Sequence, residues 1–185
     1  QKPEKNQKPR EEKSMIENKE ALEEFIVQNW DQVNQWIDEQ MAKYPIPIYT
    51  SVDIRESLDK YAAIDLNIYP AGFNNLCNLD LQAASNQFRK SLRAYGEIKC
   101  VGIIPESHTK NLFYLDHLAI LGRTIRDAGF EVKFLSPDTT LFEGKNALAL
   151  VSHSGFDLLI SPMLLIHGQI DGVDLCLLNN DQSAP

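Results

Sequence analysis

Between Ile98 and Leu135 the chain dictates its own architecture. Ile98–Ile104 is a continuous apolar run closed by Pro105, the pattern of a strand buried on both faces. Leu112–Ala128 follows, with Leu115, Leu118, Ala119, Leu121 and Ile125 at helical spacing and Gly129 where a helix stops. Phe130–Leu135 then alternates as a second strand. Strand, helix, strand in this order is a βαβ unit, which predicts a parallel pair with the helix crossing over one face.

The remaining segments dress this unit. Residues 1–13 are polar and aperiodic and read as a disordered leader. Ser14 and Glu17 have capping-box spacing. Leu22, Phe25, Ile26, Trp30, Val33, Trp36, Ile37 and Met41 then recur at three- and four-residue steps. That spacing predicts one amphipathic helix of about seven turns within 14–45, with Trp30 and Trp36 used in packing, ended by Pro45 and Pro47. Two strand-like pieces, IPIYTSVDI and YAAIDLNIY, flank a polar bend. A further helix begins near Asn78, a plausible cap, with Leu81, Ala84, Phe88, Leu92 and Tyr95 inward and Gly96 at its end. Residues 139–151 suggest a small hairpin around Gly144-Lys145-Asn146, and Phe156–Ile160 and Val173–Leu178 supply more strands. Residues 46–185 thus read as an α/β domain, three-layered or partly covered, with a parallel or mixed sheet flanked by helices and a long N-terminal helix.

Composition narrows the function. With 43% hydrophobic residues, 185 residues can bury a sizeable core. The longest greasy window, LLISPMLLI at 158–166, falls short of the roughly 18 residues that span a membrane. Net charge is −8, and the first 13 residues carry five Lys/Arg against three Asp/Glu, so the body is more acidic still. Such a body argues against nucleic-acid and anionic-membrane partners, whose phosphates require a basic face. Cys77, Cys100 and Cys176 have neither metal nor disulfide spacing, which suits reduced thiols in the cytoplasm.

Ligands of a parallel sheet gather beyond the carboxyl ends of its strands. Three polar segments fall at such ends: DLNIYPAGFNN (65–75), PESHTKN (105–111) and LLNNDQSAP (177–185). Their side chains suit a small polar ligand, yet each has a plain structural use. Thr109 or Asn111 can cap a helix. Asn179, Asn180 and Asp181 form turns readily, and Asn74-Asn75 after Gly72 can close one. Glu106 can face solvent, and His108 is a lone histidine without a paired Ser or Cys nucleophile. Arg55 can pair with a neighbouring carboxylate. His117, three residues after Tyr114, reads as a surface or satisfied core histidine. Neither GxGxxG nor GxxxxGKS/T occurs, so no phosphate cradle of those kinds is present.

TSVDIR, DLNIYPAGFNNL, IPESHTKNLFYL and LLNNDQSAP, in this order, resemble the N-terminal part of the proteobacterial glutamate–cysteine ligases of the ATP-grasp type. The likeness runs from about Ile46 to Pro185 and is weakest over 137–172. It implies a Rossmann-like (pre-ATP-grasp) fold and a parent enzyme of glutathione biosynthesis. That enzyme joins the side-chain carboxyl of L-glutamate to the amine of L-cysteine through an acyl phosphate. The resemblance implies ATP and Mg2+ for the whole enzyme and none held by this chain. It gives Arg55 the role of forking onto a substrate carboxylate and makes Asp65 and Glu106 holders of an α-ammonium. Asn67, Asn74, Asn75, His108, Thr109, Asn179 and Asn180 would orient the substrate by hydrogen bonds, with Asp181 beside them. No catalytic residue or metal ligand is expected among these. The implied partners are glutamate, cysteine or gamma-glutamylcysteine and the ATP-grasp domain, without which the chain is expected to be inactive. A stand-alone amino-acid-binding or regulatory module is the other reading, and a homo-oligomer is compatible with both.

Overall fold

The computed structural model describes residues 18–44, 47–58, 60–106 and 111–179. Contacts divide the chain into two units, Gln1–Ile46 with Val52–Leu66, and Pro47–Ser51 with Asn67–Pro185.

The first unit holds α1 (Lys19–Gln28), α2 (Trp30–Met41) and a two-stranded sheet of β1 (Ser51–Glu56) and β2 (Tyr61–Asn67). The expected continuous helix is therefore two. Asn29 sits between them at φ −113° and ψ 24°, off helical geometry. Its backbone N–H makes the ordinary helical bond to the Phe25 carbonyl at 3.0 Å, and its side-chain amide donates to the same oxygen at 2.8 Å. The Asn18 side chain caps α1 by accepting from Ala21 N at 2.8 Å; Ser14 and Glu17 lie outside the described residues. Trp30 and Trp36, expected to pack, are 58% and 61% exposed.

The second unit is the α/β domain. It contains α3 (Asn78–Arg93), β3 (Cys100–Pro105), α4 (Leu112–Asp127), β4 (Glu131–Ser136), β5 (Leu148–Val151) and β6 (Asp157–Pro162). The short strands β7 (Leu165–Ile166) and β8 (Gln169–Ile170) precede β9 (Leu175–Asn179). The main sheet runs β5-β6-β4-β3-β9. β3 pairs in parallel with β4 and β9, β4 in parallel with β6, and only β5 is antiparallel. The βαβ unit is present as expected, and the sheet is mixed. α3 is one residue longer at its start than a cap at Asn78 allows, because Cys77 occupies the cap position.

The expected hairpin over 139–151 does not form. Asp138 Oδ1 accepts from Thr140 N at 2.9 Å and caps a 3-10 turn over Thr139–Phe142, after which Glu143 and Gly144 turn left-handed. β5 then pairs forward with β6, Ala149 opposite Leu159. Alternation revealed the strand but not its partner.

One sheet face makes the core. Val101, Ile103, Phe134, Leu158, Ile160 and Leu177 pack against Leu115, Leu118, Leu121 and Ile125 of α4 and Phe88 and Leu92 of α3. Asn111 caps α4, its Oδ1 accepting from Phe113 N and Tyr114 N at 3.1 and 3.3 Å. At the other end Arg89 donates to the carbonyls of Asp127 and Ala128, both at 3.0 Å, closing the terminus from α3. On the opposite sheet face a Cβ at Gly102 would lie 3.0 Å from both Cys176 Sγ and Val173 Cγ1, so a bare backbone lets the β6–β9 connection lie close to β3.

Candidate functional site

β3 and β9 end side by side, with Pro105 paired to Asn179. Three of the polar segments meet there. The PAGFNN loop arrives with Gly72 at φ 100°, followed by a 3-10 turn over Phe73–Asn75. Pro105 ends β3 with Glu106 directly after it, and Asn179 ends β9.

Asn179 is 1% exposed, and its side chain is the knot. Nδ2 donates to Tyr49 Oη at 3.1 Å and to the Pro70 carbonyl at 3.0 Å. Oδ1 accepts from Tyr114 Oη at 2.8 Å and lies 3.0 Å from His117 Nε2. The histidine's other nitrogen, Nδ1, accepts from Phe73 N at 3.2 Å, so the ring proton belongs on Nε2 and is donated to Asn179. Tyr114 Oη in turn accepts from Glu106 N at 3.0 Å. The PAGFNN loop, the residue after β3, the end of β9 and the Tyr49 segment are thereby tied into one network around α4. Burial lowers the pKa of His117 and raises those of Tyr49 and Tyr114, so all three act as neutral groups here. Among the described residues no buried side-chain nitrogen or oxygen lacks a partner.

The residues singled out in the sequence divide accordingly. Asn74, Asn75 and Glu106 are exposed. Asn67, the last residue of β2, turns its Oδ1 to Tyr69 N at 2.8 Å and shapes the approach to Pro70. Asn179 departs from its expected role as a substrate contact, since both lone pairs and both amide hydrogens are spent within the protein. Arg55 and Asp65 are exposed on β1 and β2 of the first unit. His108, Thr109, Asn180 and Asp181 lie outside the described residues. Tyr49 and Tyr114 were not singled out. A buried tyrosine needs a partner for its hydroxyl, and that is the one signal that marks them.

Nearby, Asp116 pins the loop after β5. Its carboxylate accepts from Ser154 N at 2.9 Å and Ser154 Oγ at 3.0 Å. The Ser152 hydroxyl, first among its partners, helps hold its pKa below the usual aspartate value.

A cavity of about 280 Å³ opens beside β9, lined by Ile48, Tyr49, Tyr69 and Leu178 among others, so the network forms part of its wall. The larger hollow of about 650 Å³ between α3 and α4 lies away from the motif segments and contains Arg89, already committed to the α4 terminus. No group of three or more His, Cys, Asp and Glu among the described residues could hold a metal ion. None of the described helices is long and apolar enough to cross a membrane.

No curated protein matches this chain. A crystal structure provisionally assigned as a gamma-glutamylcysteine synthetase from Methylobacillus flagellatus KT is similar, with 32% identity and a TM-score of 0.74. The match covers 87% of this chain and 38% of that one, so this chain spans well under half of its relative. The sequence model of the GshA glutamate–cysteine ligase family matches residues 23–185, nearly the whole chain and all three segments that meet at Asn179. The chain belongs to the glutamate–cysteine ligase family.

Proposed function

We propose that this chain is the N-terminal, substrate-side part of an ATP-grasp-type glutamate–cysteine ligase and holds an amino acid at the carboxyl ends of β3 and β9. The observation that carries the reading is the convergence of three polar segments on Asn179, with Glu106, Asn74 and Asn75 left exposed around it. The Glu106 carboxylate is suited to an α-ammonium, and the two asparagine amides orient a carboxylate or amide by hydrogen bonds. Asn179 is a positioning residue, acting through the loops it fixes.

Peptide-bond formation from a carboxylate requires activation, and the family's ATP and Mg2+ supply it. Among the described residues no group of three or more His, Cys, Asp and Glu could hold a metal ion, and no activation step is derived from them. That chemistry belongs to the part of a ligase that this chain does not span. A reducing cytoplasm fits the three free cysteines, two of which have pKa values raised by burial.

Backbone NMR of the chain titrated with L-glutamate, L-cysteine and gamma-glutamylcysteine tests the reading. Shifts confined to the amides of Gly72–Asn75 and Glu106 are the expected outcome. Shifts elsewhere, or none with any of the three, would overturn it.

A further inference from the structure

β4 and β6 are neighbours in the sheet but do not stay together along their length. Their register runs from Phe134–Ile160 to Ser136–Pro162, although β4 starts at Glu131 and β6 at Asp157. Towards those starts each strand keeps only its other neighbour, with Val132 opposite Val101 of β3 and Leu158 opposite Leu150 of β5. The two strands part there, and their facing backbone edges have no strand partner. Between them and α4 lies a cavity of about 490 Å³. Ala119, Ile120, Val132, Phe156 and Leu158 give it apolar walls.

Arg126 also lines this cavity. Its guanidinium carbon lies 6.0 Å from the centroid of the Phe134 ring, at cation–π distance. Gly122 leaves room for that placement, since a Cβ there would come 2.7 Å from Phe134 Cζ and 3.6 Å from Arg126 Nη1. Among the described residues the Arg126 side chain has no ion pair and no hydrogen bond. Arg123, one turn earlier, is bound only weakly, its Nε 3.8 Å from Asp127 Oδ2 in an exposed pair. Lys133 lines the cavity too, but its ammonium lies against Gly172. These three cations face one carboxylate, Asp157, on a chain whose net charge is −8. The sign of the charge is locally reversed.

We infer that this cavity binds a small monocarboxylate with an apolar body. A guanidinium offers parallel N–H donors that match a carboxylate, and Arg126 is already held in place by Phe134. The apolar walls take the rest of the ligand out of water. Asp157 repels a second negative charge, which disfavours phosphate and dianions. The site is distinct from the network at Asn179. Tyr114 and His117 stand on the first two turns of α4, Arg123 and Arg126 on its last two.

The test titrates the chain with phenylacetate, its uncharged analogue phenylacetamide and inorganic phosphate, followed by backbone NMR. Saturable shifts at the amides of Ile120, Arg126, Val132 and Leu158 are expected with phenylacetate. Phenylacetamide and phosphate should each bind at least tenfold more weakly. Arg126→Gln should weaken phenylacetate binding at least tenfold. Arg93→Gln, which removes a charge outside the cavity from the last turn of α3, should leave it unchanged. Melting curves show whether each variant keeps its fold, and the acid–amide comparison reads the same charge on the unaltered chain. No saturable shift with phenylacetate, equal binding of acid and amide, or indifference to Arg126→Gln would overturn the site. Shifts centred on Gly72–Asn75 and Glu106 would put the ligand at the other end of α4 and overturn it as well. Tighter binding of phosphate would overturn the ligand class.

Discussion

His117 Nε2 lies 3.0 Å from Asn179 Oδ1, across 62 residues of sequence, and the Phe73 amide on Nδ1 fixes which nitrogen carries the proton. The pair holds a loop against a strand end only while the imidazole is neutral. A second ring proton would point at the Phe73 N–H, donor against donor.

That geometry sets a pH dependence. Burial depresses the folded-state pKa of His117 below its ordinary 6.5, so the unfolded chain binds more protons as pH falls. The stabilisation is complete above pH 6.5 and drains away as pH falls towards and through the folded-state value. Nitrogen-15 NMR should find the Nε2–H tautomer at neutral pH, with denaturant stability declining below about pH 6.5. His117→Gln should flatten that decline.

Asn179 cannot be replaced cheaply. Asn179→Leu strands the Pro70 carbonyl, the Tyr49 hydroxyl and the His117 N–H in a buried site, and should cost about 2–4 kcal/mol. Asn179→Asp keeps the shape but loses both donors and introduces a buried charge, so it should be at least as damaging. Urea denaturation of both variants checks the order.

Tyr114→Phe removes one atom from the same network. It frees the Glu106 amide while leaving the ring in the core, at a cost of roughly 1–2 kcal/mol. Hydrogen exchange at Glu106 should accelerate more than at Leu118 or Leu121. Equal acceleration throughout α4 would mean that the hydroxyl acts on global stability alone.

Gly122 offers a sign inversion. Glycine inside a helix normally gains up to about 1 kcal/mol when changed to alanine. Here the added Cβ would sit 2.7 Å from Phe134 Cζ in the core, so Gly122→Ala should instead destabilise by about 1–3 kcal/mol. Its melting temperature decides between the two.

What could be read in advance followed from local pattern. The apolar run closing at Pro105, the helix inward stripe through Leu115 and Leu118, the cap at Asn111 and the stop at Gly129 all act within a few residues. Pairing choices do not. Nothing in TTLFEG forbids a hairpin, and β5 found its partner downstream because β6 is itself anchored on β4. The break at Asn29 is a departure of one residue's backbone from helical angles, which periodicity ignores. The site was legible as segments and illegible as a network, because Tyr49, Tyr114, His117 and Asn179 are joined by bonds that span 62 to 130 residues.

The proposed amino-acid site lies at the carboxyl ends of β3 and β9 and needs no nucleotide to bind its ligand. Calorimetric titration of the chain with L-glutamate, without nucleotide, tests it most directly. Saturable binding that Glu106→Gln weakens at least tenfold, with the melting temperature unchanged, is the predicted result. Absence of heat with L-glutamate, L-cysteine and gamma-glutamylcysteine alike, or binding indifferent to Glu106→Gln, would contradict it.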